Sequence, residues 1–381
     1  MHFPGRTWRR LVIGVVTFGL VAGGSVALED SALAKKKSPA HVAKAAFDRM
    51  SLAERVGQLL VAGLPIDDVQ PQLKYLKQVP IGNVFLFHNS HSSVTQVSQL
   101  TTGLDAQARH ARVHPYIGTD QEGGAVQRFQ GKGFSTIPAA LEQGSWTTDR
   151  LRKSATTWGS QLRRAGLSMN FAPVADTVPK KIGKKNEPIG KWKREYGHKP
   201  GVVGAHVAAV VHGFKAAGIA PTIKHFPGLG RATGNTDTDK KVTDPTGPHD
   251  PYLKPFRDGI DAGARFVMMS SARYPKIDKK HPACFSPRII GKLLRQRLGF
   301  TGVIVSDSLD GAALARWTPA QRAIRFLRAG GTMLLDAHAQ QLVAMEKAIL
   351  KRMAHSKHFA ATVNADVMLV LTEKAKAGLI S

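Results

Sequence analysis

The sequence is poor in cysteine and in acidic residues. The chain of 381 residues contains one cysteine, Cys284, so no internal disulfide can form and a hydrophobic core must stabilise the fold. Hydrophobic residues make up 43% of the chain, which provides such a core and excludes global disorder. Lys and Arg number 54 against 27 Asp and Glu, a formal net charge of +27. This excess predicts either a generally basic soluble surface or a polyanionic neighbour, such as nucleic acid or an anionic cell envelope.

Motifs of several enzyme classes are absent as well. The 15 histidines form neither an H-E-x-x-H pair nor a set with cysteine, so the sequence predicts no metal site. There is no G-x-S-x-G nucleophile motif, and no glycine-rich dinucleotide fingerprint follows the first predicted strand. Because no recognised nucleic-acid-binding motif accompanies the positive charge, we expect no nucleic-acid partner.

The N-terminal segment has the layout of a secretory signal. Arginines at positions 6, 9 and 10 precede an apolar run over residues 11–27, and Ala-Leu-Ala at residues 32–34 offers a cleavage site. We assign residues 1–34 to a signal peptide and expect an exported protein that is extracellular or associated with the cell wall. The 17-residue apolar run is near the lower limit for a membrane span, so an uncleaved anchor is the alternative. Only three basic residues lie in this segment, so the exported part carries the positive charge and anionic cell-wall polymers are the expected partners.

A basic linker and lead-in are expected over residues 35–50, followed by one long domain over residues 51–381. A Ser-Leu-Ala-Glu pattern from Ser51 predicts the capping box of a first helix or turn. Helix starts are expected at Ser286-Pro287 and Thr318-Pro319. Between the helical segments, apolar runs predict buried strands at 58–62, 83–87, 116–118, 168–171, 221–224, 266–270, 303–305 and 332–335. Eight such strands favour an α/β fold, a (β/α)₈ barrel of the TIM type with a single catalytic domain, over an open sheet.

The carboxyl ends of the predicted strands carry polar side chains, and in a barrel these ends form the functional face. Six strands are followed by such residues: His88 and Asn89, Asp120 to Glu122, Asp176, His225, Arg273 and Asp307. Any one of them could be an ordinary loop residue. Their shared position at one end of the barrel indicates a site.

Asp307 and the pair Lys224-His225 are the strongest candidates at this end. Asp307 ends a hydrophobic run, and it could cap the next helix or act as a nucleophile or acid–base group at the barrel mouth. The Lys224-His225 pair could belong to a turn with a satisfied histidine, or it could bind sugar hydroxyls. Asp120 lies beside a tight turn, where Arg128 could orient it for binding or could only brace the loop.

Four motifs in order resemble those of glycoside hydrolase family 3, on its bacterial, exported β-N-acetylhexosaminidase branch. They are Thr119-Asp-Gln-Glu-Gly-Gly124, Asn170-Phe-Ala-Pro-Val-Ala-Asp176, Lys224-His-Phe-Pro-Gly228 and Val305-Ser-Asp-Ser-Leu309. The resemblance extends from Ser51 to the final helix near Leu379. It implies hydrolysis with retention of configuration through a covalent glycosyl-enzyme, without a metal or an organic cofactor.

The resemblance also implies roles for individual residues. Asp307 stands at the position of the family's nucleophile. Asp120, Arg128, Lys224 and His225 match positions that bind the non-reducing N-acetylglucosamine, and Arg194 matches an arginine from the loop after the fourth strand. These six residues would then form one sugar site.

The sequence departs from the family pattern at the acid/base. Bacterial members of this branch usually read K-H-F-P-G-H-G followed by an acid-x-His pair whose His is the general acid/base; here Leu229 replaces the first His, and the later pair lacks its His. An ungapped alignment puts Asp237 at the missing His and Asn235 at its acid partner, whereas a two-residue shift puts Asp237 at the acid and Asp239 at the His. A carboxyl with a raised pKa could protonate the leaving oxygen, so we expect Asp237 as acid/base, with Asp239 the second candidate. The loop would have to fold inward, because retaining carboxylates lie roughly 5–5.5 Å apart.

The sequence therefore predicts an exo-acting glycosidase that releases terminal β-linked N-acetylglucosamine from peptidoglycan or other cell-wall glycans. The missing His leaves a second hypothesis, a degenerate barrel that binds wall sugars without cleaving them. A third is a family member that acts on another β-glycoside, such as a β-glucoside, because the sequence does not define the pocket around the 2-position of the sugar.

Overall fold

The structure is a computed structural model that describes residues 37–381. Its centre is a barrel-shaped sheet of eight parallel strands: β1 (Leu60–Pro65), β2 (Asn83–Phe87), β3 (Tyr116–Thr119), β4 (Met169–Asn170), β5 (Ala220–Phe226), β6 (Phe266–Met269), β7 (Val303–Ser306) and β8 (Leu334–Asp336). β8 pairs with β1, and a bridge between Val305 and Met333 nearly closes the barrel. The predicted (β/α)₈ fold is confirmed.

Helices surround the sheet. They are α1 (Pro39–Arg49), α2 (Leu52–Gly57), α3 (Leu73–Gln78), α4 (Val94–Ala108), α5 (Ala140–Gln143), α6 (Thr148–Arg164), α7 (Pro200–Ala216), α8 (Lys254–Asp261), α9 (Pro319–Arg328), α10 (Ala339–Ala354) and α11 (Lys357–Lys376), with a π-helical segment over Arg288–Arg297. Both predicted helix starts are capped by the expected side chain. Ser286 Oγ accepts a hydrogen bond from the Ile289 N–H (3.2 Å), and Thr318 forms a capping box with Gln321.

The first strand begins later than predicted. Ser51 and Glu54 form the expected capping box, and α2 then continues to Gly57. β1 therefore starts at Leu60 and not at residue 58, because the preceding residues still belong to the helix and its end. Gly57 lets α2 approach the turn before β2 closely, since a Cβ at this position would lie 1.8 Å from the Pro80 carbonyl oxygen.

Helix α1 lies within the segment that the sequence assigns to a basic linker and lead-in. Ser38 caps it by accepting from the His41 N–H (3.3 Å), and Pro39 occupies the first turn, where a missing N–H costs no hydrogen bond. Ala43 and Ala46 are fully buried, and α1 packs against α11. The predicted signal peptide lies outside the described residues. Within residues 37–381, every helix is too short or too polar to cross a membrane.

Aromatic rings that lie on non-adjacent strands, or directly after them, meet inside the barrel. The Tyr116 ring meets the Phe266 ring edge-on at a centroid distance of 5.3 Å, and Phe85 meets Phe171 in the same way at 5.2 Å. The barrel is therefore a packed core and not a pore, and a ligand can bind only above it. The loops at the carboxyl ends of the strands, among them a short hairpin after β3 and another after β6, build this upper face.

Candidate active site

A hollow of about 680 Å³ opens at the carboxyl ends of the strands, with Phe85 among the residues that line it. Six of the eight predicted site residues line it as well: Asp120, Arg128, Arg194, His225, Asp237 and Asp307. Lys224 lies next to this wall and is buried, with 2% of its surface exposed. Asp239 is on the same loop as Asp237 but does not line the hollow. Residues from separate motifs thus share one cavity, although their individual roles stay predictions.

Lys224 joins two carboxylates at one wall of the hollow. Its Nζ donates to Asp120 Oδ1 (2.6 Å) and lies 2.5 Å from Glu122 Oε1. Arg128 approaches Asp120 from the other side, with 3.9 Å between Nη2 and Oδ2. Asp120 is therefore held by a buried cation and flanked by a second one, which fixes the direction of its carboxylate.

Glu122 extends this network to Arg194, the arginine from the loop after β4. The guanidinium donates to both carboxylate oxygens, from Nε to Oε2 (2.8 Å) and from Nη2 to Oε1 (2.7 Å). Burial alone would raise the pKa of Glu122, but the charges of Arg194 and Lys224 outweigh it and hold this pKa well below its ordinary value. Arg194 is in turn kept protonated: burial opposes its charge, but Glu122 outweighs that and raises its pKa.

His225 is oriented by a fully buried carboxylate. Its Nδ1 lies 2.7 Å from Asp176 Oδ2, and Asp176 Oδ1 also accepts from the Leu229 N–H (2.6 Å). Since Nδ1 is bonded to Asp176, Nε2 is the ring nitrogen that remains for a ligand in the hollow. Leu229, which replaces a family histidine, is buried beside this pair and lines the same cavity.

Asp307 follows the last residue of β7 and does not cap a helix. Its N–H donates to the Met269 carbonyl (3.1 Å), and its Oδ1 accepts from the N–H of the adjacent Ser308 (2.9 Å). The next α-helix, α9, begins twelve residues later and is capped by Thr318. The Asp307 carboxylate therefore lines the hollow instead of capping a helix.

The loop after β5 folds inward, as the predicted use of Asp237 requires. The carbonyls of Thr236 and Asp237 accept from the N–H groups of Ala313 (3.0 Å) and Ala312 (3.2 Å), which attaches the loop to the segment after β7. Asp239 braces the loop instead of facing the hollow, since its Oδ2 accepts from the Asn235 N–H (2.8 Å).

Asp237 and Asp307 are electrostatically coupled. Burial within the walls of the hollow and, secondly, the negative charge of Asp307 raise the pKa of Asp237 to about 6. By surface area the residue is exposed, because the mouth is open, so solvent moderates this shift. The direction follows from geometry all the same, because Asp307 lines the same cavity and its negative charge disfavours ionisation of Asp237.

A second acidic cluster borders the hollow. Asp310, Asp336 and His338 each bring a possible metal-ligand atom within 4.8 Å of the others. His338 Nδ1 is bonded to Asp310 Oδ2 (2.6 Å), while Oδ2 of the buried Asp336 has no hydrogen-bond partner within residues 37–381. Burial, and then the Asp310 charge, raise the pKa of Asp336 to about 8. These residues could hold a cation, or Asp336 could stay protonated, so the predicted absence of a metal stays a prediction.

Comparison with known proteins identifies the family. Residues 51–372 match the family described as the glycosyl hydrolase family 3 N terminal domain. The chain belongs to glycosyl hydrolase family 3. It is similar to a beta-hexosaminidase of Stenotrophomonas maltophilia, with 37% identity over 278 residues that cover 70% of this chain and 79% of the relative.

Solved structures give the same family. A beta-N-acetylhexosaminidase from Beutenbergia cavernae superposes with a TM-score of 0.82 and 40% identity, covering 85% of this chain and 98% of its own. A family 3 beta-N-acetylglucosaminidase from a Paenibacillus species has a TM-score of 0.75 and 28% identity, covering 86% of this chain and 63% of its own. The predicted family is confirmed, and so is the predicted enzyme class: this family 3 chain is a glycoside hydrolase.

Sequence reasoning missed two side chains that organise the family 3 site. Glu122 stands two residues after Asp120 in the same motif, and Asp176 ends the motif after β4, so both lay within recognised patterns. Neither was assigned a function, because the sequence does not tell which acid faces the ligand and which one holds the neighbouring cation.

Replacing Glu122 by Gln should destabilise the protein by about 3 kcal/mol, because the buried Lys224 and the largely buried Arg194 lose their shared counter-charge. Urea unfolding near neutral pH measures the effect.

The folded pKa of Glu122 is depressed, so the contribution of Glu122 to the free energy of unfolding is fully present above the ordinary pKa of 4.5 and is lost as the pH falls below that value. The difference between the two proteins should therefore shrink in acid. The exposed Glu142→Gln variant is the control, and an equal loss there would refute the ion network.

Proposed function

We propose that this family 3 glycoside hydrolase is an exported, retaining exo-enzyme that releases terminal β-linked N-acetylglucosamine from cell-wall glycans such as peptidoglycan. The observation that carries the proposal is the pairing of two carboxylates, Asp237 and Asp307, in one hollow beside a fixed set of polar groups. The similar proteins named beta-hexosaminidase, beta-N-acetylhexosaminidase and beta-N-acetylglucosaminidase support the choice of sugar.

The polar wall suits the terminal sugar. Asp120 is an acceptor held by Lys224, Arg128 and Arg194 are donors that line the hollow, and His225 offers a nitrogen whose direction is set by its buried partner. Such preoriented donors and acceptors bind sugar hydroxyls without reorganising first. In this proposal they hold the ring with its anomeric carbon toward Asp307.

Hydrolysis then proceeds in two displacements. An oxygen of Asp307 forms a bond to the anomeric carbon while the bond from that carbon to the leaving oxygen breaks, and Asp237 gives the leaving oxygen its proton. In the second step Asp237 takes a proton from water, the water oxygen attacks the anomeric carbon, and Asp307 is released.

The coupling of the two carboxylates suits this exchange of roles. While Asp307 is ionised, its charge helps to keep the pKa of Asp237 at about 6, so that a useful fraction of Asp237 is protonated near neutral pH. Forming the glycosyl ester removes the charge of Asp307. The pKa of Asp237 then falls, and Asp237 becomes the ionised base that the second step needs.

Asp307 is tested by trapping the covalent intermediate. A slow fluorosugar glycoside of N-acetylglucosamine should label the enzyme once per chain, and peptide mapping should find the label on Asp307. The Asp307→Asn variant should be folded, as judged by its melting temperature, and should stay unlabelled. A label on another residue overturns the assignment. Sugar binding without label or turnover favours the binding-only barrel, and faster turnover of a β-glucoside than of a β-N-acetylglucosaminide favours the other sugar.

Asp237 is tested by pH dependence and by rescue. Because the first step requires protonated Asp237, kcat/KM should fall as the pH rises through about 6. Asp237→Asn should lower kcat/KM by about 10²- to 10⁴-fold for glycosides with poor leaving groups, with a smaller loss for activated ones, and should lose the alkaline limb. Added azide should restore turnover and give a glycosyl azide of retained configuration.

The matched control is Asp239→Asn, two residues further along the same loop. The amide oxygen introduced at position 239 can still accept from the Asn235 N–H, so turnover and the pH profile should stay close to those of the wild-type enzyme. An unaltered alkaline limb in Asp237→Asn, or an equal loss in both variants, would rule Asp237 out as the acid/base.

The proposed location rests on the N-terminal sequence and on the charge. When the full chain is produced in a bacterium, protein recovered outside the cytoplasm should begin near residue 35, and Val16→Asp, which interrupts the apolar run, should keep it inside. Full-length protein in the membrane fraction would favour the anchor, and full-length soluble protein in the cytoplasm would exclude export.

A further inference from the structure

A second cavity, of about 630 Å³, lies behind the loop that carries Asp237. Four cationic side chains line it, and the rest of its wall is three alanines and Thr243. The four are Lys240, Lys241, Arg273 and Arg316, and we call this space the basic cavity. No carboxylate lines it, which distinguishes it sharply from the acidic hollow on the other side of the loop.

The positive charges of the basic cavity are not neutralised by nearby acids. Within the described part of the chain, none of its four cations forms an ion pair. Asp244 is bonded to Arg231 and Thr246 instead, and Asp278 to His281 and Ser286. Arg316 lies 4.0 Å from the Trp317 ring centroid, which holds the guanidinium in place without cancelling its charge. Like charges that converge in a concave space repel each other, and a bound oxyanion would relieve that repulsion.

The basic cavity continues toward a further basic surface. The hairpin after β6, Arg273–Tyr274 paired with Asp278–Pro282, separates it from a depression of about 540 Å³. Four cations, Lys276, Lys279, Lys280 and Arg288, line this depression, and its one carboxylate, Asp278, is already bonded to His281 and Ser286. Arg273 itself reaches the Lys280 carbonyl (3.4 Å). Two cationic depressions that share one hairpin fit a chain of repeated negative charges better than a single small ion.

The basic cavity also adjoins the segments that hold the proposed acid/base. Lys240 and Lys241 follow Asp237 by three and four residues, and the loop they share is bonded to Ala312 and Ala313, which line the cavity floor. On the other side, the Arg273 N–H donates to the Val242 carbonyl (2.9 Å). An anion in the cavity would therefore contact three segments at once: the Asp237 loop, the β6 hairpin and the segment after β7.

We propose that the basic cavity and the adjoining depression bind the phosphate groups of an anionic wall polymer of the poly(glycerol phosphate) type. Binding holds the enzyme on the wall with its acidic hollow beside the polymer. The inference rests on the proposed location at the cell wall. It does not depend on the chemistry assigned to Asp307.

The test compares two variants that lose the same charge. One replaces Lys240, Lys241, Arg273 and Arg316 by Gln. The control replaces Arg328, Lys351, Arg352 and Lys357 by Gln, four exposed residues near the ends of α9, α10 and α11. Binding of each protein to fluorescent poly(glycerol phosphate) is measured by anisotropy over a range of salt concentrations, with neutral dextran and single-stranded DNA as further arms. Melting temperatures check that both variants fold.

The cavity variant should bind the polymer at least about 10-fold more weakly at low salt. The plot of its log K against log salt should become less steep, with the magnitude of the negative slope smaller by roughly 2 to 3. The control variant should change much less in both respects. Equal weakening in both variants, or equal binding of dextran by the unchanged protein, overturns the proposal. Tighter cavity-dependent binding of DNA overturns it in favour of nucleic acid.

Two further measurements keep the outcome interpretable. Ala315→Glu adds a carboxylate to the cavity while leaving all four cations, and it should weaken polymer binding even if the quadruple variant does not fold. Turnover of a small neutral N-acetylglucosaminide, measured on the same samples, should stay within about twofold of the unchanged enzyme, since a neutral substrate gains nothing from surface charge. Polymer binding without turnover in any sample would contradict the proposed release of N-acetylglucosamine alone, and turnover without cavity-dependent binding would contradict this inference alone.

Discussion

The site depends on an alternating row of charges, of which Glu122 and Lys224 are buried and the two at the ends face the hollow. Arg194, Glu122, Lys224 and Asp120 are bonded in that order, from the loop after β4 to the ends of β5 and β3. Burying any one of these charges alone would cost several kcal/mol, and the cost is offset only while every partner is present. These charges therefore contribute by fixing side-chain positions and not by adding net stability. The row fixes Asp120 and Arg194 against the hollow before a ligand arrives, so that binding does not have to order them.

The sequence could predict the features that follow from strand burial and from the barrel topology. All eight strands were recognisable from apolar runs, because a barrel strand is buried on both faces and reads as continuous hydrophobic sequence. The polar residues at their ends were recognisable because the fold gathers those ends at one face. Glu122 and Asp176 were not distinguished from the acids that line the hollow, since an acid that holds Arg194 or His225 and an acid that faces the cavity occur in similar sequence surroundings. Only tertiary contacts separate the two.

Loop position was the other feature beyond the reach of the sequence. The alignment of Asp237 and Asp239 was ambiguous by two residues, and which of the two side chains lines the hollow depends on main-chain hydrogen bonds from Ala312 and Ala313 that no side-chain pattern encodes. These bonds turn Asp237 inward and leave Asp239 to brace Asn235. Similarly, α1 was not predicted because its two buried residues, Ala43 and Ala46, give little hydrophobic signal, and the helix becomes stable only by packing against α11.

Charge acts at two separate ranges in this protein. A net charge of +27 would lower the pKa of every carboxyl if it acted over the whole molecule, yet burial and the neighbouring Asp307 raise that of Asp237. Exposed charges are screened beyond about 8–10 Å at physiological salt, so the distant lysines contribute little inside the hollow, where near neighbours and partial desolvation dominate. In the proposed function, the surface cations therefore determine adhesion to the wall, and the few enclosed carboxylates carry out proton transfer. Because these two sets of groups scarcely influence each other, a strongly basic surface and an acid with a raised pKa can coexist in one chain.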